Sequence, residues 1–241
     1  MCFGGSKIAL RYEDLGMSMI DKKDHGYQLH ETTPDYLDLV RSHKEPYIFK
    51  LNGEDILILP GVMSPKYDWA GHYMIENLPD VKDKDVLEIG CGCGLVSMAA
   101  FRAGAEKVVA VDINLAAIDN TNQNFIRIGT NDKCVAKYSD VFKNVDGLFD
   151  VVIFNAPYHA CKANDDLEKG VADENYKALR DFFLDVASFL KNDGVVAVGF
   201  SSSGDHVLFD KLSQSSGLEL TNSVSDIRQG YQCEIHTYRK A

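Results

Sequence analysis

Three glycines stand at alternate positions in "VLEIGCGCGLVSMAA", residues 86–100: Gly90, Gly92 and Gly94. They fall where an apolar, strand-like run gives way to a helical one. Glycine tolerates positive φ and has no Cβ to hold a ligand away. The helix that follows aims its free N–H groups into the same space. Such a turn suits a nucleotide-like ligand carrying a phosphate or a carboxylate. A second residue with chemistry closes the run "KVVAVD": Asp112 can accept hydrogen bonds from both hydroxyls of a ribose, or cap the helix after it. The ribose role is shared by dinucleotide and adenosyl cofactors. The dinucleotide fingerprint G-x-G-x-x-G, counted from Gly90, would put its third glycine on Leu95, whereas the spacing present is G-x-G-x-G. A third stretch, "FNAPYH", sets Asn155, Ala156, Pro157, Tyr158 and His159 at the end of another apolar run. It reads as a place where a carboxamide and a backbone carbonyl face a ligand, or as an ordinary strand-end turn.

These residues need a scaffold, and the pattern from residue 85 onward supplies one. "DVLEIG", "KVVAVD", "CVAKYSD", "FDVVIFNAPY" and "GVVAVGF" read as strands separated by helical stretches, and "LELTNSVSD" and "YQCEIHTYR" as two closing strands. Apolar strands alternating with helices predict a doubly wound, mostly parallel α/β sheet covered on both faces. The expectation is seven strands with an antiparallel C-terminal strand. Ligands in such sheets bind beyond the carboxyl ends of the strands, where all three motifs fall. The stretch "ENYKALRDFFLDVASFL" predicts one amphipathic helix with Tyr176, Leu179, Phe183, Val186 and Leu190 on one side. Ahead of the sheet, Tyr47–Leu51 and Asp55–Leu59 read as a hairpin turning at Asn52-Gly53. The expected division is residues 1–60, an N-terminal segment and hairpin capping the substrate side, and 61–241, the ligand-binding domain.

The chain has 241 residues and a formal net charge of −11. A nucleic-acid binder usually shows a basic face, and here lysine and arginine are scattered, so nucleic acid is disfavoured. No run reaches the ~18 apolar residues of a membrane span, and the start lacks the apolar core of a secretory signal. A cytoplasmic protein that does not bind membranes is expected. The six cysteines, Cys2, Cys91, Cys93, Cys134, Cys161 and Cys233, form no CxxC pair, and the histidines, among them His25, His30, His43, His206 and His236, show no metal-like spacing. Reduced thiols and no metal are expected.

"DVLEIGCGCG", "VVAVDIN" and "YSDVF", in that order, resemble the three cofactor motifs of class I S-adenosylmethionine-dependent methyltransferases. The resemblance runs over roughly residues 60–241. It implies S-adenosyl-L-methionine as cofactor. Glu88, Gly90, Cys91, Gly92 and Gly94 would wrap its amino-acid end, Asp112 would hold the ribose, and Ile113 would pack on the adenine face. Ser139 and Asp140 would lie beside the adenine. "NAPY" resembles the N-P-P-Y signature of amino methyltransferases, such as the release-factor glutamine and adenine-N6 enzymes. In that family the Asn oxygen and the next carbonyl accept the two N–H groups of the target. Here those acceptors would be Asn155, which also borders the cofactor, and the carbonyl of Ala156, with Tyr158 stacking on the planar substrate. Ala156 departs from the signature's first proline, which opens the way to other nitrogen nucleophiles.

The expected activity is therefore N-methylation of a small molecule or a protein side chain. A nucleic-acid base methyltransferase and a non-catalytic, cofactor-loaded partner subunit are the alternatives. "GVMSPKYDWAGHYMIEN" loosely matches the segment before the first strand of the glutamine methyltransferases at Ser64, Pro65, Tyr67 and Asp68. Tyr67, Trp69, Tyr73, Tyr158 and His159 are the expected substrate pocket, although an aromatic stripe at helical spacing also suits a core. The acidic stretch 159–174 reads as a lid suited to a cationic substrate, or as a solvated loop.

Overall fold

The computed structural model describes residues 32–240, apart from 52, 131 and 229–230. Cys2, His25, His30 and the turn residue Asn52 lie outside the described residues. In chain order the elements begin with α1 (Thr32–Ser42), β1 (Tyr47–Leu51), β2 (Glu54–Ile58) and α2 (Ala70–Glu76). The alternating part follows: β3 (Asp85–Ile89), α3 (Leu95–Arg102), β4 (Lys107–Asp112), α4 (Leu115–Ile128), β5 (Cys134–Tyr138) and β6 (Phe149–Asn155). The chain ends with α5 (Lys177–Asp185), β7 (Leu190–Ser201), α6 (His206–Ser215), β8 (Leu218–Arg228) and β9 (Tyr231–Lys240).

The large sheet has seven strands in the order β5-β4-β3-β6-β7-β9-β8. β5, β4, β3, β6 and β7 pair in parallel, and β9 runs antiparallel to both its neighbours. The doubly wound sheet with an antiparallel C-terminal strand is thus present, and the order reverses between β3 and β6. Period-two alternation splits the strands between two apolar layers. On β6, Val151 and Ile153 join α2, α3 and α4 on one face, while Val152 and Phe154 join α5 and α6 on the other. The second layer is aromatic: Phe182 packs against Phe142 and Phe154, and Phe209 against Phe183 and Phe200.

The hairpin is a separate two-stranded sheet, with Gly53 at φ +86° in its turn. It docks through polar groups. Asn120 and Asn124 of α4, both fully buried, hold the backbone at the end of β2: Leu57 N–H donates to Asn124 Oδ1 at 2.9 Å, and Leu59 N–H, two residues on, donates to Asn120 Oδ1 at 2.8 Å. Helix α1, absent from the sequence expectation, packs Leu37 and Val40 against Leu167 and Val171 of the segment that follows the NAPY stretch.

The stretch expected as one helix over 174–190 is divided. Tyr176, Leu179, Phe183, Val186 and Leu190 are buried as expected, but α5 proper spans Lys177–Asp185 between two short 3-10 turns, and Leu190 opens β7. The cause lies before the helix. Asp173 accepts the N–H groups of Ala178 at 2.9 Å and Leu179 at 3.0 Å, as a capping side chain does. Asn175 and Tyr176 sit in the left-handed region at φ 57° and 52°. That conformation sends the buried Tyr176 hydroxyl to the Tyr158 carbonyl, to which it donates at 3.0 Å, while it accepts from the Asp205 N–H at 2.9 Å. Tyr176→Phe would leave both partners without the phenol. The expected loss is about 1–3 kcal/mol of unfolding free energy, read from the shift in urea midpoint at unchanged slope.

Candidate functional site

The carboxyl ends of β3, β4 and β6 open into one cavity of about 920 Å³. The glycine turn forms its floor. Gly90, Gly92 and Gly94 have φ of +71°, +56° and +82°. A Cβ on Gly92 would meet no atom within 4 Å and one on Gly90 only the Phe154 ring at 3.9 Å, so at both positions it would project into open space at the cavity wall. Gly94 does a different job: a Cβ there would stand 2.8 Å from Thr121 Cγ2, so its glycine lets α4 approach. Thr121 Oγ1 donates to the Gly92 carbonyl at 3.0 Å, and Asn124 Nδ2 to the Cys93 carbonyl at 2.9 Å. The five described cysteines are free thiols, and burial pushes Cys93 up to about 12. Among the described residues no group of three or more His, Cys, Asp or Glu side chains is arranged to hold a metal.

Asp112 faces the turn from β4. Its Oδ2 accepts the Gly92 N–H at 2.9 Å and its Oδ1 the Asn114 N–H at 2.8 Å. Asn114, not Asp112, caps α4, accepting the Ala116 N–H at 2.9 Å. Burial raises the Asp112 carboxyl above its ordinary range, although the N–H donors pull the other way. Glu88 lies beneath the turn, hydrogen-bonded by the Ser97 hydroxyl, and burial pushes it from 4.5 up to about 8. After β5, Ser139 is turned inward: its hydroxyl donates to the Val141 carbonyl at 2.7 Å and accepts the Asn144 N–H at 3.0 Å. Asp140 is half-buried, which opposes ionisation, yet Lys143 and Lys177 beside it hold its carboxyl below the usual range.

Glu88, Gly90, Cys91, Gly92, Asp112, Ile113, Ser139, Asp140, Asn155 and Pro157 all line this cavity. Ala156 and Tyr158 sit at its edge without lining it. The Ala156 N–H donates to the Gly199 carbonyl at 3.0 Å. Among the described residues, the Asn155 carboxamide has no hydrogen-bond partner and nothing donates to the Ala156 carbonyl.

The five aromatic positions expected to form a substrate pocket lie elsewhere. Trp69 and Tyr73 belong to the main apolar layer, their rings 5.3 Å apart under the Arg228 guanidinium. The Tyr67 hydroxyl meets His43 Nε2 at 2.6 Å. Tyr158 is half-buried against the ring of His159, and His159 is itself buried. Apolar area drives these rings inward, and the turn's backbone holds His159 there: its N–H donates to Val171 and its carbonyl accepts from Asp173.

The stretch after the motif does line the cavity, but four of its acids are engaged. Arg41 of α1 pairs with Asp165 at 2.8 Å and Glu168 at 2.6 Å, Asp166 pairs with Lys169, and Asp173 caps α5. Lys162 and Lys169 of this stretch line the cavity, as do Lys177 and Arg180 of α5. Tyr36 of α1 also lines it and was not expected, because the polar residues 1–45 show no clear period.

A doubly wound sheet of this strand order, with a positive-φ glycine turn after its first parallel strand and a buried acid after the next, defines an S-adenosylmethionine-dependent methyltransferase. The chain belongs to the methyltransferase small domain family, whose model matches residues 54–206. A Methanocaldococcus jannaschii protein, provisionally named a protein N5-glutamine methyltransferase, is 34% identical over 176 residues, 68% of this chain and 85% of that one. The Mannheimia succiniciproducens ribosomal RNA small subunit methyltransferase C is 33% identical over 103 residues, 42% of this chain and 30% of that one. Among solved structures, a T. thermophilus 16S rRNA N2 methyltransferase in complex with AdoMet and guanosine shares the fold at a TM-score of 0.62 and 21% identity, over 82% of this chain and 50% of that one.

The expectation that nucleic acid is disfavoured as a partner is overturned, since a ribosomal RNA methyltransferase stands among these relatives beside one named for a protein glutamine. A net charge of −11 sums the whole surface and does not describe the face a substrate meets; Lys162, Lys169, Lys177 and Arg180 line the cavity among its acids. No described helix is long and apolar enough to cross a membrane.

Glu88 makes the free protein's stability depend on pH. Its folded carboxyl keeps a proton up to about pH 8 that the unfolded chain releases near 4.5. This contribution is complete below the unfolded value and is lost as pH rises through about 8, with Asp112 acting in the same direction. Glu88→Gln keeps an acceptor for Ser97. It should flatten the fall in stability between about pH 5 and 8, a difference on the order of several kcal/mol at the upper end, read from denaturation midpoints across that range.

Proposed function

We propose that the protein transfers a methyl group to a planar nitrogen, a carboxamide or an exocyclic amine, carried by a macromolecule. The reading is carried by one observation: Asn155 lines the cavity, and neither its Oδ1 nor the carbonyl of the next residue, Ala156, has a donor among the described residues. Two N–H groups of one target nitrogen would fill them.

S-adenosylmethionine supplies an electrophilic methyl group when bound. On this reading Gly90, Cys91, Gly92 and Gly94 shape the main chain around its amino-acid end, with Glu88 supporting the turn from below. Asp112 receives the ribose hydroxyls, Ile113 packs on the adenine face, and Ser139 and Asp140 flank its edge. A planar nitrogen is a poor nucleophile because its lone pair is delocalised. Asn155 and Ala156, by accepting both hydrogens, favour tetrahedral geometry and turn the lone pair toward the methyl group. Positioning of this kind supplies up to ~7–11 kcal/mol of a barrier. No strong base is needed, since the proton can leave after transfer. Pro157 holds the turn. We assign residues 61–241 to this transfer domain and residues 1–60, with α1 and the hairpin, to its substrate side.

The carboxamide of a protein glutamine is the first reading, supported by the M. jannaschii relative and its 85% coverage. An exocyclic amine of an RNA base is the second, supported by the ribosomal RNA methyltransferase relative. Radiolabelled methyl transfer to ribosomal proteins and release factors on one side, and to ribosomal RNA on the other, separates them. Steep loss of activity with added salt is expected only for RNA. Asn155→Ala should abolish transfer to either while S-adenosylhomocysteine binding by calorimetry stays micromolar and NAD gives no heat. Activity within a few-fold of the unaltered protein would remove Asn155 from the role.

A further inference from the structure

The strand β7 contains a glycine with no conformational reason to be one. Gly199 lies mid-strand between the buried Val198 and Phe200, and its φ is outside the left-handed region. A glycine inside a strand costs roughly 0.5–1 kcal/mol against alanine and marks a close approach. What approaches is Asn155. The two residues are paired in the parallel register of β6 and β7, so they share a face of the sheet. A Cβ on Gly199 would lie 2.5 Å from Asn155 Oδ1 and 3.4 Å from its Cγ. On the other side the slot is closed by Met74 of α2, fully buried, whose Cε would stand 3.0 Å from the same Cβ. The Gly199 carbonyl meanwhile accepts the Ala156 N–H at 3.0 Å, which anchors the Asn155–Ala156 peptide at the root of that carboxamide.

We infer that Gly199 is a positioning residue: its missing side chain seats the Asn155 carboxamide, and its carbonyl holds the Asn155–Ala156 peptide from which that carboxamide springs. This rests on the proposed role of Asn155 and extends it to a strand that carries no part of the NAPY motif. Gly199 touches neither cofactor nor target. Its effect must pass through Asn155, and that is what makes the inference separable from a general packing role.

The test is Gly199→Ala in two backgrounds. In the unaltered protein, kcat should fall roughly 100-fold, the effect of moving a reacting group by about an ångström, while calorimetric affinity for S-adenosylhomocysteine stays within about twofold. The Tm should also fall, because the new methyl group and Oδ1 compete for one volume. In the Asn155→Ala background that Tm loss should vanish, since the methyl group then occupies the space Oδ1 has left. Non-additivity of this kind reports direct coupling. A kcat within about threefold of the parent, a Tm loss equal in both backgrounds, or a loss of cofactor affinity would each overturn the inference. If Gly199→Ala alone fails to fold, the double variant decides: a folded double variant supports the slot, and a second failure removes it. If Asn155→Ala keeps its activity, the proposed chemistry fails, while the Tm comparison still reports on the slot.

Discussion

The glycine turn after β3 cannot hold its own shape, and the site depends on the groups that hold it. Three left-handed glycines have the widest conformational freedom of any residue and the most to lose on ordering. The turn is held from outside. Asp112 takes the Gly92 N–H, Thr121 gives to the Gly92 carbonyl, and Asn124 gives to the Cys93 carbonyl. Thr121 and Asn124, with Asn120, form a fully buried polar face on α4. Buried polar groups are tolerated where every one is satisfied, and here the satisfaction is shared between the turn and the backbone of β2. The hairpin, the turn and the second strand of the parallel sheet are thereby one hydrogen-bonded unit.

The opposite wall of the cavity is built on a different principle. Between β6 and β7 the groups are held by space and by one phenol. Gly199 leaves a volume for a carboxamide, and Tyr176 joins the end of the NAPY turn to the first turn of α6. The chain over the cavity is then fastened twice more, through Asp173 to α5 and through Asp165 and Glu168 to Arg41. What reads in one dimension as an acidic loop is a strap in which Asp165, Glu168 and Asp173 are bound to protein.

Much of this was legible in the residues. Alternation of apolar runs with helical stripes located all seven strands, and the spacing of Gly90, Gly92 and Gly94 with Asp112 located the cavity. The residues that complete the site were harder to find for definite reasons. α1 is short, and its apolar Leu39 is left exposed beside the buried Leu37 and Val40, so its period is weak. Asn120, Thr121 and Asn124 look like a solvated face until a backbone is packed on them. Tyr176 fitted an apolar stripe, and nothing local reveals that its hydroxyl bridges two distant turns. Gly199 did carry a signal, a glycine inside "GVVAVGF", but its meaning needs the register of β6 against β7. Trp69 and Tyr73 show the reverse case: large rings near a site are drawn into the apolar layer by their area, whatever chemistry lies beside them. The acidic total misled because a net charge sums the whole surface and says nothing of how its basic side chains are placed.

Electron-pair counting at Asp112 has one more consequence. A carboxylate offers about four lone-pair directions, and two of them are spent on the main chain at Gly92 and Asn114, one on each oxygen. Each oxygen therefore has a vacant direction left for a vicinal diol. A diol arriving there would complete the carboxylate's valence without evicting either amide. The same anion would then serve as mortar for the wall and as the latch for its guest, and its desolvation would be offset in two instalments, by the polypeptide first and by the ligand second.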